Sequence, residues 1–289
     1  MLDFRKHFSD AFDRSIEELS RLLRVVRIQQ NDPTIPLVGR DSLPGGVIYI
    51  VRYGEDGENI LFQRHMGILM VNLGQTIPSD VRDDIDEREF QEIMIRYSSW
   101  IRGDPFFAAQ DQYQRGNRAR WIEIDFQGAV VAFYTAIEMF CNGLLGLCQW
   151  ESGGTREELI GWLEKEGFDK RLRDRFHGFL GGNWDARSTS SPLQPLDDTA
   201  RVRHRVVHAA YEPTQEEVDN AALAFSELSE FAKDRLIASK YSFPRTTMLL
   251  LGKSGLERKN AWSRRFERLA EVLVNEDDWL QTYTAWRQP

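Results

Sequence analysis

Cysteine is scarce: the 289 residues hold two, Cys141 and Cys148. Seven positions along a predicted helix set them about 10 Å apart, beyond the ~7 Å between Cα atoms that a disulfide tolerates. A disulfide scaffold is therefore not expected, nor is a zinc site built on CxxC pairs, because that spacing does not occur. Both thiols are expected to be buried and reduced. Apolar runs are short as well, none approaching the ~20 residues of a membrane-spanning helix. The opening MLDFRKHFSDAFDRSIEEL mixes acids, bases and aromatics where a secretory leader carries a basic patch and then an apolar stretch. A cytoplasmic protein with no membrane partner is expected.

Positive charge is in deficit: 37 Lys plus Arg stand against 45 Asp plus Glu, a formal net charge of −8. Long-range attraction does not bring a phosphate backbone to such a surface as a whole, so any nucleic-acid contact has to be local. Repeats and low-complexity tracts are missing, and so is a phosphate loop. Gly252-Lys253-Ser254 matches the end of one, but the earlier glycine it requires would stand where Thr247 is. What is present, 42% hydrophobic and 28% charged residues, is the composition of a folded chain with a real core. Its length implies either one enlarged domain or two.

From Phe4 to Gln29, Phe8, Phe12, Ile16, Leu19, Leu23 and Val26 recur at steps of three and four, which predicts an amphipathic helix. After the connectors NDPTIP and SLPGG, the runs VIYIVRY and NILFQRH flank the turn GEDGE and predict a hairpin. Ile68 to Leu73 is a third candidate strand. Asp80 to Glu92 carries seven acids and two arginines, a solvated helix start where negative charge is favoured or a surface for a basic partner. A helix from Arg88 to Ile101 follows, with Phe90, Ile93, Met94, Tyr97 and Trp100 expected inward.

Ile124 to Leu147 is apolar nearly all round and interrupted by Glu138, the pattern of a central helix buried by several neighbours. Thr155 with Glu158, and Thr214 with Glu217, form capping boxes that open two further helices. Between them Lys170 to Leu180 ends at Gly181-Gly182, and GGNWDARSTSSPLQPL reads as a loop. Beyond Arg245, TTMLLL reads as a strand. A helix then brings Trp279, Tyr283 and Trp286 to the C-terminus, where they are expected to dock on the rest of the chain.

Arg203-His204-Arg205-Val206-Val207-His208, followed by a Pro-Thr helix start and a long helix, resembles the signature of the HEPN superfamily, an arginine followed by a polar residue, with four to six residues between the arginine and a histidine. The resemblance covers about residues 120–240. It implies a helical bundle that dimerises so that two motifs face each other and, in many members, metal-independent cleavage of RNA; other members are inactive interaction modules. Such proteins commonly serve as toxins or antiviral effectors, with an antitoxin or defence-system partner protein.

The chemistry suits the residues. Cleavage through the 2′-hydroxyl needs a base, an acid and cationic donors for the phosphoryl oxygens. His208 can move protons near neutrality, and Arg203 can fork onto a phosphate. His204 would position substrate, and Arg201 and Arg205 would bind it. One chain offers few such groups, and a homodimer doubles them. Helical geometry raises a difficulty: at ~100° per residue Arg201, His204, Arg205 and His208 share a stripe, while Arg203 sits about 140° from His208. Either the backbone is irregular there or Arg203 reaches an internal acid, for which Glu138 is a candidate. Arg201, with six residues between it and His208, also satisfies the spacing and could take the phosphate instead.

His204 and His208 at i, i+4 lack a third ligand and the glutamate of HExxH, so no metal and no cofactor are expected. Trp100, Phe106, Phe107, Tyr113 and Trp121, interleaved with Arg102, Arg115, Arg118 and Arg120, could clasp a single strand or pack one domain on another. The sequence thus reads as α+β: residues 1–119 an α+β region of helix plus β-meander, a sensor or regulatory module by analogy; 120–242 a HEPN-like bundle; 243–289 a strand-helix extension docked on it. The expected function is a cytoplasmic endoribonuclease. The alternatives are a silent dimerisation or interaction module and a helical small-molecule or nucleotide sensor.

Overall fold

A computed structural model describes residues 4–39, 46–52, 64–70, 86–188, 191–275 and 278–288. The chain divides into two compact units, one of Met1–Gln30 with Ile35–Met94 and one of Asn31–Thr34 with Ile95–Pro289.

In the first unit the predicted helix spans Phe4–Gln29 (α1). It buries Val25, Arg27 and Ile28, while Leu19, expected on the apolar face, is 43% exposed. Strands Gly46–Arg52 (β1) and Arg64–Met70 (β2) pair antiparallel, Gly46 opposite Met70 and Arg52 opposite Arg64. The expected turn GEDGE and most of NILFQRH lie outside the described residues, as do 71–73 of the third candidate strand and the acidic run up to residue 85. Asp86 accepts from the Glu89 amide at 2.7 Å and so starts the helix Glu87–Ile101 (α2). Ile93 on α2 is buried, whereas Phe90, expected inward, is 46% exposed. The division between the units falls within this helix.

The second unit is helical throughout its described residues. Pro105–Arg118 (α3) continues into a π-helical turn, Ala119–Glu123, and Phe126–Glu151 (α4) follows. Next come Arg156–Lys165 (α5), Phe168–Lys170 (α6), a π-helical segment Arg171–Phe176 and His177–Leu180 (α7). Gln194–Ala209 (α8), Gln215–Ala238 (α9), Pro244–Arg258 (α10), Arg264–Asn275 (α11) and Trp279–Arg287 (α12) complete it. Helix α4 is long and apolar enough to cross a membrane, but most of its surface is covered by other helices. It packs along α3, α8 and α9, with α5, α10 and α12 at its C-terminal part. Phe133, Ile137, Phe140, Leu144, Leu147 and Cys148 are each at most 2% exposed. Both cysteines are free and buried, as expected, and burial pushes both thiols up.

Both capping boxes form, at Thr155–Glu158 and Thr214–Glu217. The predicted helix end at Gly181-Gly182 also forms: Gly181 and Gly182 take φ of +60° and +87°, a region open to glycine. Arg235 donates to the Leu180 carbonyl at 2.7 and 3.0 Å. At the C-terminus Trp279 lies over Trp150 at 6.0 Å and Tyr283 is 1% exposed.

The α+β expectation is overturned. Among the described residues the strands amount to one isolated hairpin and every other element is helical, so the class is all-α. TTMLLL, expected as a strand, lies in α10. The cause is tertiary. Pro244 stands at the first helical turn, where its fixed φ suits a helix. The Glu151 carboxylate, 2% exposed, accepts from the Arg245 amide at 2.7 Å, the Thr246 amide at 3.0 Å and the Thr246 hydroxyl at 2.7 Å. It thereby caps the free amides of α10 from the end of α4, and this overrides a β-propensity that is weak and context-dependent.

Two predictions follow from these buried carboxyls. Glu151→Ala strips the acceptor from three donors and should cost about 2–4 kcal/mol in urea unfolding; a loss below about 1 kcal/mol would show that Pro244 alone holds the start of α10. Asp104 caps α3 through the Phe106 amide at 2.8 Å. Burial raises its carboxyl from 3.8 to about 6, against the opposing pull of that amide and Arg96. The fold therefore keeps a proton that the unfolded chain sheds, and this group's contribution to stability falls as pH rises from about 4 to about 6. Asp104→Asn keeps an acceptor and loses the titration. Relative to wild type it should gain on the order of 2 kcal/mol between pH 4 and pH 7; an equal difference at both pH values would rule this out.

Candidate functional site

Helix α8 carries the residues singled out in the sequence. Leu196, Thr199, Val202 and Val206 are buried. The two valines pack with Ala129, Val130 and Phe133 of α4 and with Val218, Ala221 and Ala222 of α9. Fixing that face inward turns the opposite face to solvent: Arg201, His204, Arg205 and His208 are all exposed. The helix is a regular α-helix from Gln194 to Ala209, so no backbone irregularity reorients the motif.

Arg203 occupies the edge of the buried face and is half-buried. Its guanidinium lies 5.6 Å from the centroid of the Tyr134 ring on α4. Glu138 follows one turn later on α4, half-buried. Burial raises its carboxyl above the ordinary range, and Arg203 and then Arg171 act in the opposite direction. No hydrogen bond or ion pair joins Arg203 to Glu138 among the described residues; the two are linked by charge alone. Among the described residues no hydrogen bond or ion pair engages the Arg203 guanidinium.

The neighbouring arginines are engaged. Arg201 bonds to Asp197 and lies 3.3 Å from Asp198. Arg205 donates to Glu217 at 2.6 Å and stacks over the Tyr211 ring at 3.8 Å. The Tyr211 hydroxyl donates to Glu217 at 3.1 Å, and the Thr214 amide donates to the same carboxylate at 2.9 Å. Desolvation works against this carboxylate, but the bonds from Thr214, Arg205 and Tyr211 hold it below the ordinary range. Glu217 therefore caps α9 and fastens it to α8 at once.

The imidazoles of His204 and His208 have ring centroids 4.6 Å apart, with the planes at 47°. Arg203 and His208, five residues apart, diverge by about 140° around α8 and about 7.5 Å along it. One chain brings His204, His208, Arg201 and Arg205 together and sets Arg203 on the adjoining flank with Tyr134 and Glu138.

Tyr134, Tyr211 and Glu217 were not among the residues the sequence singled out for the site. Glu217 was visible as a cap, but its bond to Arg205 is a tertiary contact without a local signal. The aromatic-arginine stretch resolves into core packing. Trp100 stacks on Phe107 at 4.2 Å and Tyr113 on Phe225 at 4.7 Å. Arg115, Arg118 and Arg120 pair with Asp111, Glu123 and Asp219. Trp121 alone of the five rings is largely exposed, at 58%. Gly252-Lys253-Ser254 lies at a kink in α10, where Gly252 leaves helical geometry at a φ of +61°, and forms no phosphate loop.

No family model matches the chain, and neither a curated protein nor a solved structure does.

The Glu217 junction yields a stability prediction. Glu217→Ala removes half of a capping box and the acceptor of Tyr211 and Arg205, and should lower stability by about 1–2 kcal/mol. Thr214→Ala, which removes only the cap, should cost less. Equal losses for both would mean that the α8–α9 bonds add nothing.

Proposed function

We propose that the chain is a HEPN-like, metal-independent endoribonuclease that acts as a homodimer on RNA in the cytoplasm, as a toxin or antiviral effector. The observation that carries this reading is the contrast among the arginines of α8. Arg201 and Arg205 are committed to carboxylates, whereas Arg203, the arginine at the four-residue spacing, has no such partner among the described residues. A half-buried guanidinium that rests on the Tyr134 ring without a hydrogen-bonded carboxylate is kept at a cost, and a phosphate supplies the bidentate partner it lacks.

The roles follow from the chemistry. One imidazole, His208, takes the proton of the ribose 2′-hydroxyl as the 2′-oxygen attacks phosphorus. The bond from phosphorus to the 5′-oxygen breaks, and an imidazolium returns a proton to that oxygen, leaving a cyclic phosphate and a free 5′-hydroxyl. Arg203 meets the charge growing on the phosphoryl oxygens. His204, one turn away, positions the substrate. Arg203 and His208 diverge within a chain, so the arginine of one copy would work with the histidine of the other, and the dimer would supply base and acid together.

That same divergence favours a second reading, a catalytically silent HEPN-like module that mediates dimerisation or recruits a partner protein. Mixed RNA incubated with the purified full chain, with and without chelator, separates the two. Cleavage should survive chelation and fall at least ~100-fold in His208→Ala and in Arg203→Ala. RNA left equally intact by wild type and both variants would give the interaction reading the field.

A further inference from the structure

His204 and His208 are the feature that the proton-transfer role does not exhaust. They stand one turn apart on the solvent face of α8, rings 4.6 Å apart between centroids, and neither is held by a hydrogen bond or ion pair among the described residues. Two nitrogens bound to one ion at ~2.0–2.1 Å in tetrahedral geometry lie about 3.3 Å from each other. Rings at the observed spacing reach that separation by side-chain rotation, without moving the helix. We propose that His204 and His208 form a bidentate site for a divalent transition-metal ion of the zinc class, and that the bound ion takes His208 out of proton transfer.

Three features of the surroundings support binding of a cation there. His208 lies in the last turn of α8, where the unsatisfied carbonyl ends favour positive charge. Two of the flanking guanidiniums are neutralised, Arg201 by Asp197 and Asp198 and Arg205 by Glu217, and the third, Arg203, lies over the Tyr134 ring on the adjoining flank. Imidazole also suits zinc, copper and nickel, in contrast to the oxygen ligands that magnesium and calcium require.

The same surroundings make the site weak and reversible. The described residues contain no group of three or more histidine, cysteine or acidic side chains able to hold a metal, so water fills the remaining positions of the ion. Neither ring donates to a carboxylate or carbonyl among the described residues, the arrangement that fixes ring orientation in strong sites. A weak chelate of this kind is occupied when free metal rises and empties when it falls, as a regulatory site requires. A ring nitrogen whose lone pair is bound to metal cannot accept the 2′-hydroxyl proton, and a metal-bound nitrogen carries no proton to return. The inhibitory consequence rests on the functional reading above; the binding itself does not.

Calorimetric titration of the full chain with zinc chloride, in a non-coordinating buffer and without RNA, tests the site. His177 is the control, since its Nδ1 already lies 2.8 Å from the Gly182 carbonyl. Wild type and His177→Ala should bind zinc equally. His204→Ala and His208→Ala should each weaken it at least tenfold, because a lone imidazole loses the chelate advantage. His208→Gln replaces His208→Ala if the latter lowers the melting midpoint. Affinity within twofold of wild type in either α8 variant, or loss of binding in His177→Ala, overturns the site. With RNA present, zinc at saturating concentration should slow cleavage at least tenfold, and chelator should restore it. Undiminished cleavage with the site filled overturns the inhibition, whereas zinc binding by a chain that cleaves no RNA upholds the site and overturns the nuclease reading along with the inhibition.

Discussion

A helix that is apolar on nearly every side has to be surrounded, and the helical unit is organised around that requirement in α4. Its residues from Ala129 to Cys148 reach the interior in almost every direction, so each neighbouring helix presents an apolar stripe to it and turns its remaining surface outward. For α8 the stripe is Leu196, Thr199, Val202 and Val206. Once those positions are inward, the directions of all the charged and imidazole side chains on α8 follow from 3.6 residues per turn. The geometry of the site is therefore a consequence of core packing.

The same burial decides which polar groups are costly. Glu138 and Glu151 both lie on α4, and both carboxyls are raised by loss of water. Glu151 is compensated by three hydrogen-bond donors at the start of α10 and is a structural cap. Glu138 has only the field of Arg203 and Arg171 to offset its burial. Two glutamates in similar settings thus differ in kind: one is satisfied by hydrogen bonds inside the fold, and the other is offset by the charge of Arg203, whose guanidinium makes no hydrogen bond among the described residues.

Much of the helical unit was legible in the sequence because its signals are local. The Thr155 and Thr214 caps, the glycine pair at 181–182 and the apolar run of α4 each act through neighbours within a few residues. TTMLLL was misread for the opposite reason: the group that makes it helical, Glu151, is about 95 residues away. In the hairpin, Arg64 and His65 are the described residues of NILFQRH, and both pair with β1. At the site, angular arithmetic alone separated Arg203 from the His204–His208 stripe, and Glu138 was a candidate partner as the acid interrupting the apolar run of α4. It could not foresee that Glu217 occupies Arg205, since that bond depends on how α8 and α9 pack.

The divergence of Arg203 and His208 is fixed by the core of the helical unit. A π-type insertion just after Arg203, of the sort seen at Ala119–Glu123 and Arg171–Phe176, would turn His208 by about 100° around the helix axis. Val202 and Val206 stand on either side of that point, and both are under 10% exposed in one cluster with α4 and α9. An insertion would carry one of them out of the core at a cost of about 1.5–3 kcal/mol, and would break the Arg205–Glu217 bond that ties the helices together. In the proposed dimer a second copy would bring the missing group to the His204–His208 face without disturbing either valine. The packing that spreads the motif around α8 is thus the physical ground for assigning the proposed chemistry to two chains.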